Sequence, residues 1–290
     1  MRRVNIFSLA YRLLYFMKIY VILDDYAGYD SRFYGGHGVS YLVEYDNIKV
    51  LFDTGPNPDV VLHNMKLLNI DPVEITHIVL SHSHYDHTGG LIGVLKAVGR
   101  KIPVIAHPEL FKRVFAVDPV LREVGAPFTR AMLEDLAYLY LTHDPVKLSS
   151  RIYTTGEVRD RLEFEQKGLK VFMIKDGRLV EDPLLDDVSM CIDHDDGIVV
   201  VSGCSHAGII SITRRCMDVL DKREVRAVIG GFHLINASRD RISKTVDWFK
   251  KLKVREIYTG HCTGLEAEYM IKEAFGDRFH KLYSGMTIEI

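Results

Sequence analysis

The segment that most constrains this chain runs from Ile75 to Gly90. Residues 75–80, mostly apolar, read as a short buried strand. They end in Ser81-His82-Ser83-His84-Tyr85-Asp86-His87-Thr88-Gly89-Gly90. Three imidazoles and a carboxylate between positions 82 and 87 form a ligand set suited to zinc, iron, manganese or nickel. Extended backbone puts His82 and His84 on one side, and a following helical turn aims Asp86 and His87 elsewhere. One segment can therefore serve two neighbouring ions. A polar surface loop is a poor explanation for so many donors at this spacing.

The surrounding pattern shows what carries this segment. Residues 20–23, 39–45 and 48–52 read as strands, with Asp46-Asn47 as a hairpin turn between the last two. Residues 59–69 have helical periodicity, 91–98 read as a helix and 104–106 as a strand. Residues 107–150 change character and read as mostly helical, through 109–114 and 130–140, which suggests a cap inserted beside the site. Strand signals return at 152–154, 171–174, 189–193 and 198–202. Helices are expected at 209–220 and 238–252, and strands at 227–229, 256–258 and 281–290. Strands and helices in this order suit an α+β fold of two packed β-sheets with helices outside.

Three further histidines stand in glycine-flanked turns after apolar strands: His206 in Gly203-Cys204-Ser205-His206-Ala207-Gly208, His233 in Gly230-Gly231-Phe232-His233, and His261 in Gly260-His261-Cys262-Thr263-Gly264. Each alone is as readily a turn or core histidine. Their repeated context makes them candidate ligands or catalytic groups. Ser238-Arg239 opens the helix expected at 238–252, and a hydroxyl and a guanidinium at a helix N-terminus suit a phosphate. An ordinary N-cap with a surface arginine fits that pair equally well.

HxHxDH after a hydrophobic strand, with Phe52-Asp53-Thr54-Gly55 upstream, resembles the metallo-β-lactamase superfamily across most of residues 17–290. The resemblance implies an αβ/βα sandwich with a metal site at one edge between the sheets. Asp53 would be the acid that braces the histidine loop, and His82, His84, Asp86, His87 and His261 would be ligands. Cys204 stands where the superfamily usually has a bridging Asp. Near 184–187, where it usually has another histidine, there is none. Cys204, His206, Asp186 and Asp187 are the candidates to complete the shell. His206 is expected ahead of Cys204, because an unprotected bridging thiolate oxidises readily. The triplet GCSHAG, GGFHL and GHCTG is similar to the subfamily described as 7,8-dihydropterin-6-methyl-4-(β-D-ribofuranosyl)aminobenzene 5′-phosphate synthase. That subfamily joins a dihydropterin diphosphate to an aryl amine bearing a ribose phosphate and releases diphosphate, in methanopterin biosynthesis. The resemblance implies a transferase with a divalent-metal cofactor, expected as two ions of zinc, magnesium, manganese or iron. Asp86 and His233 would be catalytic, and His233, Ser238 and Arg239 would contact a small phosphorylated substrate. The alternative is a hydrolase of phosphodiester or lactone type using a metal-bound hydroxide, with His233 or His206 assisting. A binding protein on a degenerate site is a third reading, and the intact HxHxDH argues against it.

Composition narrows the remaining classes. A formal net charge of −2 gives no general basic field for nucleic acid. Cys191, Cys204, Cys216 and Cys262 form no CxxC pair, which fits a reduced, cytoplasmic setting, with Cys191 and Cys216 as small buried hydrophobes. Arg2 and Arg3 precede an apolar stretch, but Arg12 interrupts it and no small-residue cleavage site follows. Residues 1–16 therefore read as an extension outside the core fold, possible as an amphipathic helix, and no membrane span is expected. A homo-oligomer is compatible with the composition.

Overall fold

The computed structural model describes residues 17–166 and 170–290. The extension expected at residues 1–16 lies outside the described residues. Two large sheets face each other. The first runs in the order Thr287–Glu289, Lys18–Leu23, Ser40–Tyr45, Ile48–Phe52, His77–Val79, Pro103–Ala106, Tyr138–Leu141. The second runs Phe279–Lys281, Glu256–Gly260, Val225–Gly231, Gly197–Ser202, Met190–His194, Ile152–Thr154. In each sheet the antiparallel pairing gives way to parallel strands, from Ile48–Phe52 onward in one and from Gly197–Ser202 onward in the other.

Side-chain alternation explains the layering. Ile19, Val21, Val43, Val50 and Val79 of the first sheet pack on Met190, Ile192, Val199, Val201 and Ile229 of the second, forming the core between the sheets. The alternate residues Ile22, Leu42, Leu51, Ile78 and Val104 face outward, onto Val61 and Met65 of the helix Pro58–Leu67 and onto Leu91, Val94 and Leu95 of Leu91–Val98. Cys191, Ile198, Val200, Val228 and Ile257 turn the other way, onto the helices Ile209–Leu220, Arg239–Lys251 and Leu265–Phe275. The result is the αβ/βα sandwich. Among the described residues no helix is long and apolar enough to cross a membrane.

The segment 107–150 is not mostly helical. It holds a 3-10 turn at Pro108–Phe111, strands Val114–Ala116 and Arg122–Glu123, a short helix Arg130–Glu134 and the strand Tyr138–Leu141. The sequence Tyr138-Leu-Tyr-Leu has a period of two. Leu139 and Leu141 join the outer core while Tyr138 and Tyr140 are exposed, so the run pairs parallel to Pro103–Ala106 instead of coiling. Val114–Ala116 and Arg122–Glu123 combine with the hairpin Phe172–Lys175 and Arg178–Glu181 into a separate four-stranded sheet. The single strand expected at 281–290 is also corrected. Phe279–Lys281 belongs to the second sheet and Thr287–Glu289 to the first, with a Gly285 turn (φ 94°) between them.

The strand order places the site. The HxHxDH loop follows His77–Val79, and Cys204 and His206 follow Gly197–Ser202. His233 follows Val225–Gly231 and His261 follows Glu256–Gly260. All leave the carboxyl ends of parallel strands, where crossover connections open a crevice.

Candidate metal centre

His82, His84, Asp86, His87, Cys204 and His261 are all buried in one crevice, with His206 and His233 part-buried beside them. The turns that carry them are strained. Ser205, His233 and His261 hold φ of 59°, 48° and 46°, a left-handed conformation that non-glycine residues adopt only when the surroundings impose it. Gly203 must lack a side chain, since a Cβ there would stand 2.5 Å from Ser81 Oγ and 2.8 Å from Asp53 Oδ2.

Hydrogen-bond partners fix which ring nitrogens face inward. Asp53 Oδ1 accepts the Ser81 N–H, and Oδ2 accepts both the Ser81 hydroxyl and His87 Nδ1, each at 2.7 Å. Because Ser81 Oγ donates to Asp53, it must accept from His82 Nδ1, at 2.8 Å. Asp25 takes His261 Nδ1 at 2.6 Å. Each of these rings therefore has Nδ1 engaged, which leaves Nε2 of His82, His87 and His261 as the nitrogen turned to the crevice, the arrangement of metal-ligating histidines.

Those nitrogens converge with the other donor atoms. His87 Nε2 lies 3.2 Å from Asp86 Oδ2 and 3.2 Å from Cys204 Sγ. His261 Nε2 lies 3.1 Å from Cys204 Sγ and 3.6 Å from Asp86 Oδ2. Donors about 2.1 Å from a common tetrahedral centre stand about 3.4 Å apart. On the other side of Cys204, His82 Nε2 lies 3.0 Å from His84 Nδ1 and 3.2 Å from His206 Nε2. The groups Asp86–His87–Cys204–His261 and His82–Cys204–His206 each gather their donor atoms within 4.8 Å, and Cys204 belongs to both. Donor atoms gathered this closely fit a divalent metal, which would displace the protons that His87, His261 and Cys204 otherwise hold.

The two sides differ electrically. Burial drives His82 and His206 far below the ordinary imidazole range and His84 down to about 4, so these are neutral rings. Burial alone would lower His87 too, but Asp86 and Asp53 push it up to about 10. The Cys262 sulfur and Asp25 likewise hold His261 well above its usual value against burial. This second side attracts positive charge. Burial pushes the Cys204 thiol up, so it becomes a thiolate only beside a cation.

Several expected site residues lie elsewhere. Asp186 accepts the Ser83 N–H at 2.9 Å and the Lys112 ammonium at 2.7 Å, and Asp187 accepts the Ala207 N–H at 2.7 Å. Both carboxylates brace ligand-bearing loops from behind and join none of the donor groups. Ser238 is exposed and its hydroxyl caps the helix Arg239–Lys251 by accepting the Arg241 N–H at 3.3 Å. Neither Ser238 nor the exposed Arg239 lines the metal cavity. Cys204 and His206 both bring donor atoms to the centre, Cys204 belonging to both of the groups named above and His206 to one. Two residues escaped the sequence reading. Asp25 orients His261, and His37 lies 3.2 Å from Asp25 and 3.6 Å from Asp86. The signals were present, since Asp25 follows an apolar strand as Asp53 does, and Gly36-His37-Gly38 has the glycine-flanked context of the other histidines. The cavity holds about 290 Å³, and Ala116, Arg122, Val124 and Val171 of the small sheet wall one side.

The metallo-beta-lactamase superfamily profile matches residues 33–261. The 7,8-dihydropterin-6-methyl-4-(beta-D-ribofuranosyl)-aminobenzene-5'-phosphate synthase of Methanocaldococcus jannaschii is 42% identical, over 94% of this chain and 96% of that protein. A solved structure described as a metal-dependent hydrolase of the beta-lactamase superfamily superposes with a TM-score of 0.78 at 28% identity, covering 94% of this chain and 99% of the other. A metallo-beta-lactamase fold protein of Bacillus subtilis superposes with a TM-score of 0.55 at 16% identity, over 95% of this chain and 100% of the other. With the sandwich, the strand-end ligand turns and the donor geometry in agreement, the chain belongs to the metallo-β-lactamase superfamily and is an enzyme of it.

Proposed function

We propose that this enzyme joins a dihydropterin diphosphate to a ribofuranosylaminobenzene 5′-phosphate and releases diphosphate. The observation that carries this reading is the 42% identity to a synthase of that name over almost the whole of both chains. In the reading, His82, His84 and His206 would hold one divalent ion and Asp86, His87 and His261 a second, and Cys204 is within reach of both groups. Imidazole and thiolate donors suit zinc and iron, and Asp86 alone offers the oxygen that magnesium and manganese favour. A bound divalent metal neutralises phosphoryl oxygens and so eases departure of a diphosphate.

The chain's own groups supply the rest. The aryl amine nitrogen bonds to the pterin methylene carbon as the carbon–oxygen bond to diphosphate breaks, and the nitrogen then loses a proton. His233 is placed to take it. Its ring lines the metal cavity, with its centroid 4.5 Å from that of His206. Asp86 acts by holding the charge of the second side, and the walls Ala116, Val124 and Val171 exclude water from the activated carbon.

The 28% identical structure described as a hydrolase supports a second reading, in which water attacks a phosphodiester or lactone and His233 or His206 accepts its proton. Metal-loaded protein incubated with both synthase substrates should yield the coupled product by mass spectrometry and one equivalent of diphosphate. Diphosphate or dihydropterin alcohol without coupled product, together with turnover of a phosphodiester or lactone panel, would replace the synthase by the hydrolase.

A further inference from the structure

A second cleft, of about 500 Å³, opens beside the metal cavity and shares His206 and His233 with it. Its far wall carries Arg159, Arg161 and Arg241. Three arginines in a cleft that ends on two site histidines call for an account.

Arg161 is the most informative. Nε donates to the Val158 carbonyl at 2.9 Å, Nη1 to Pro183 at 3.0 Å and Nη2 to Leu184 at 2.6 Å. These are neutral acceptors that fix the guanidinium plane, and the buried Asp187 behind the cleft is the acidic group that feels its charge. A guanidinium has five N–H donors, so two remain for a ligand. Arg241 is almost wholly buried at 6% exposure and faces the carboxylate of Glu165. Glu165 is already engaged by the Ile210 and Ser211 N–H groups and the Ser211 hydroxyl. Arg159 is held by Glu157 and is the weakest contributor. Neither acidic residue that lines the cleft is bonded to Arg161. Asp182 is paired with Lys112 at 2.9 Å, and Glu181 is exposed on the small sheet.

We propose that this arginine cleft binds a sugar phosphate monoester, with Arg161 and Arg241 gripping the phosphate while the reacting end of the same molecule reaches His233. The inference rests on the synthase reading, whose aryl amine carries its phosphate on a ribose, well away from the nitrogen that reacts. The diphosphate of the other substrate belongs on the metal side. Two anionic groups thereby receive two separate sites, and each substrate has one orientation. A fixed guanidinium fork recognises a phosphate with little ordering cost, because the three carbonyls have already ordered it.

The test has a binding arm and a kinetic arm. In the first, ribose 5-phosphate is titrated calorimetrically into metal-loaded protein. Arg161→Met and Arg241→Met should each weaken binding about tenfold or more, and Arg130→Met, on the remote surface, should leave it unchanged. In the second, Arg161→Met should raise KM for the phosphorylated aryl amine about tenfold and leave KM for the dihydropterin diphosphate within twofold. With the aryl amine riboside lacking its phosphate, wild type and Arg161→Met should perform alike. A merely structural clamp would lower Tm and damage both substrates and the riboside equally, and that result overturns the proposal. So does ribose 5-phosphate binding that both arginine variants leave intact. If Arg161→Met does not fold, Arg241→Met and Arg161→Lys carry the same comparisons, the lysine keeping the charge and losing the fork. Absence of coupled product from wild type would sink the synthase reading alone, because the binding arm reads the cleft without turnover.

Discussion

Asp53→Asn should cost the centre either metal affinity or stability, and the structure shows why it cannot avoid both. Asp53 is fully buried and receives the Ser81 N–H on one oxygen and the Ser81 hydroxyl and His87 Nδ1 on the other, all at 2.7 Å. Asparagine offers one oxygen and one NH2. If its oxygen serves His87, the NH2 confronts the Ser81 N–H, and a buried donor goes unmatched, at about 1–3 kcal/mol. If it flips, the NH2 faces His87 Nδ1. The ring must then change tautomer and carry its proton on Nε2, where the donors Asp86 and Cys204 converge. Loss of such an orienting partner typically weakens metal binding about 10–100-fold. Chelator competition with the metal-loaded variant measures the affinity, and a thermal melt measures the stability. A variant whose affinity stays within twofold of wild type and whose Tm is unchanged would refute the tautomer argument, and with it the assignment of Asp53 as the residue that aims His87.

Stripping metal with a chelator should lower Tm by about 5 °C or more, since a ligand at a hundredfold its Kd contributes about 2.7 kcal/mol; an unchanged melt would mean that the converging donors are not a metal site. Cys204→Ser should cut metal content more deeply than His206→Ala, because the sulfur belongs to both donor groups and the imidazole to one; elemental analysis showing the reverse order would make the thiol a bystander. Ser238→Ala should cost about 1 kcal/mol of stability through its lost helix cap and leave KM for both substrates unchanged, as its hydroxyl is committed to Arg241. A selective rise in either KM would return Ser238 to the substrate site.

How much of this was legible beforehand depended on whether the signal was local. The helices Leu91–Val98 and Ile209–Leu220 have the expected bounds because their periodicity and glycine ends are written in adjacent residues. HxHxDH declared itself for the same reason. The small sheet did not, since Val114–Ala116 and Arg122–Glu123 are too short to show alternation and exist only through pairing with a distant hairpin. The helix Leu265–Phe275 is masked in the sequence by the glycine-flanked turn that opens it. Asp186 and Asp187 looked like ligands because carboxylates often are, and only tertiary contacts show them accepting backbone N–H groups behind the loops. Arg161 gave no signal at all: its role depends on carbonyls of Pro183 and Leu184, far along the chain.

The asymmetry of the donor groups bears on how the two substrates would be arranged. His82, His84 and His206 are neutral rings, so a cation they hold keeps its full charge apart from its share of Cys204. On the other side the Asp86 carboxylate joins His87 and His261, and those rings lean on Asp53 and Asp25, so positive charge there is largely cancelled by residues already in place. An anionic oxygen is held best where cancellation is least. That is the imidazole side, next to His206 and His233, where the metal cavity meets the arginine cleft. The leaving diphosphate and the phosphate of the incoming amine would then approach His233 from two directions, one drawn by the imidazole side and one by Arg161. Their mutual repulsion, screened poorly in a buried crevice, would favour two separate anion sites with His233 between them.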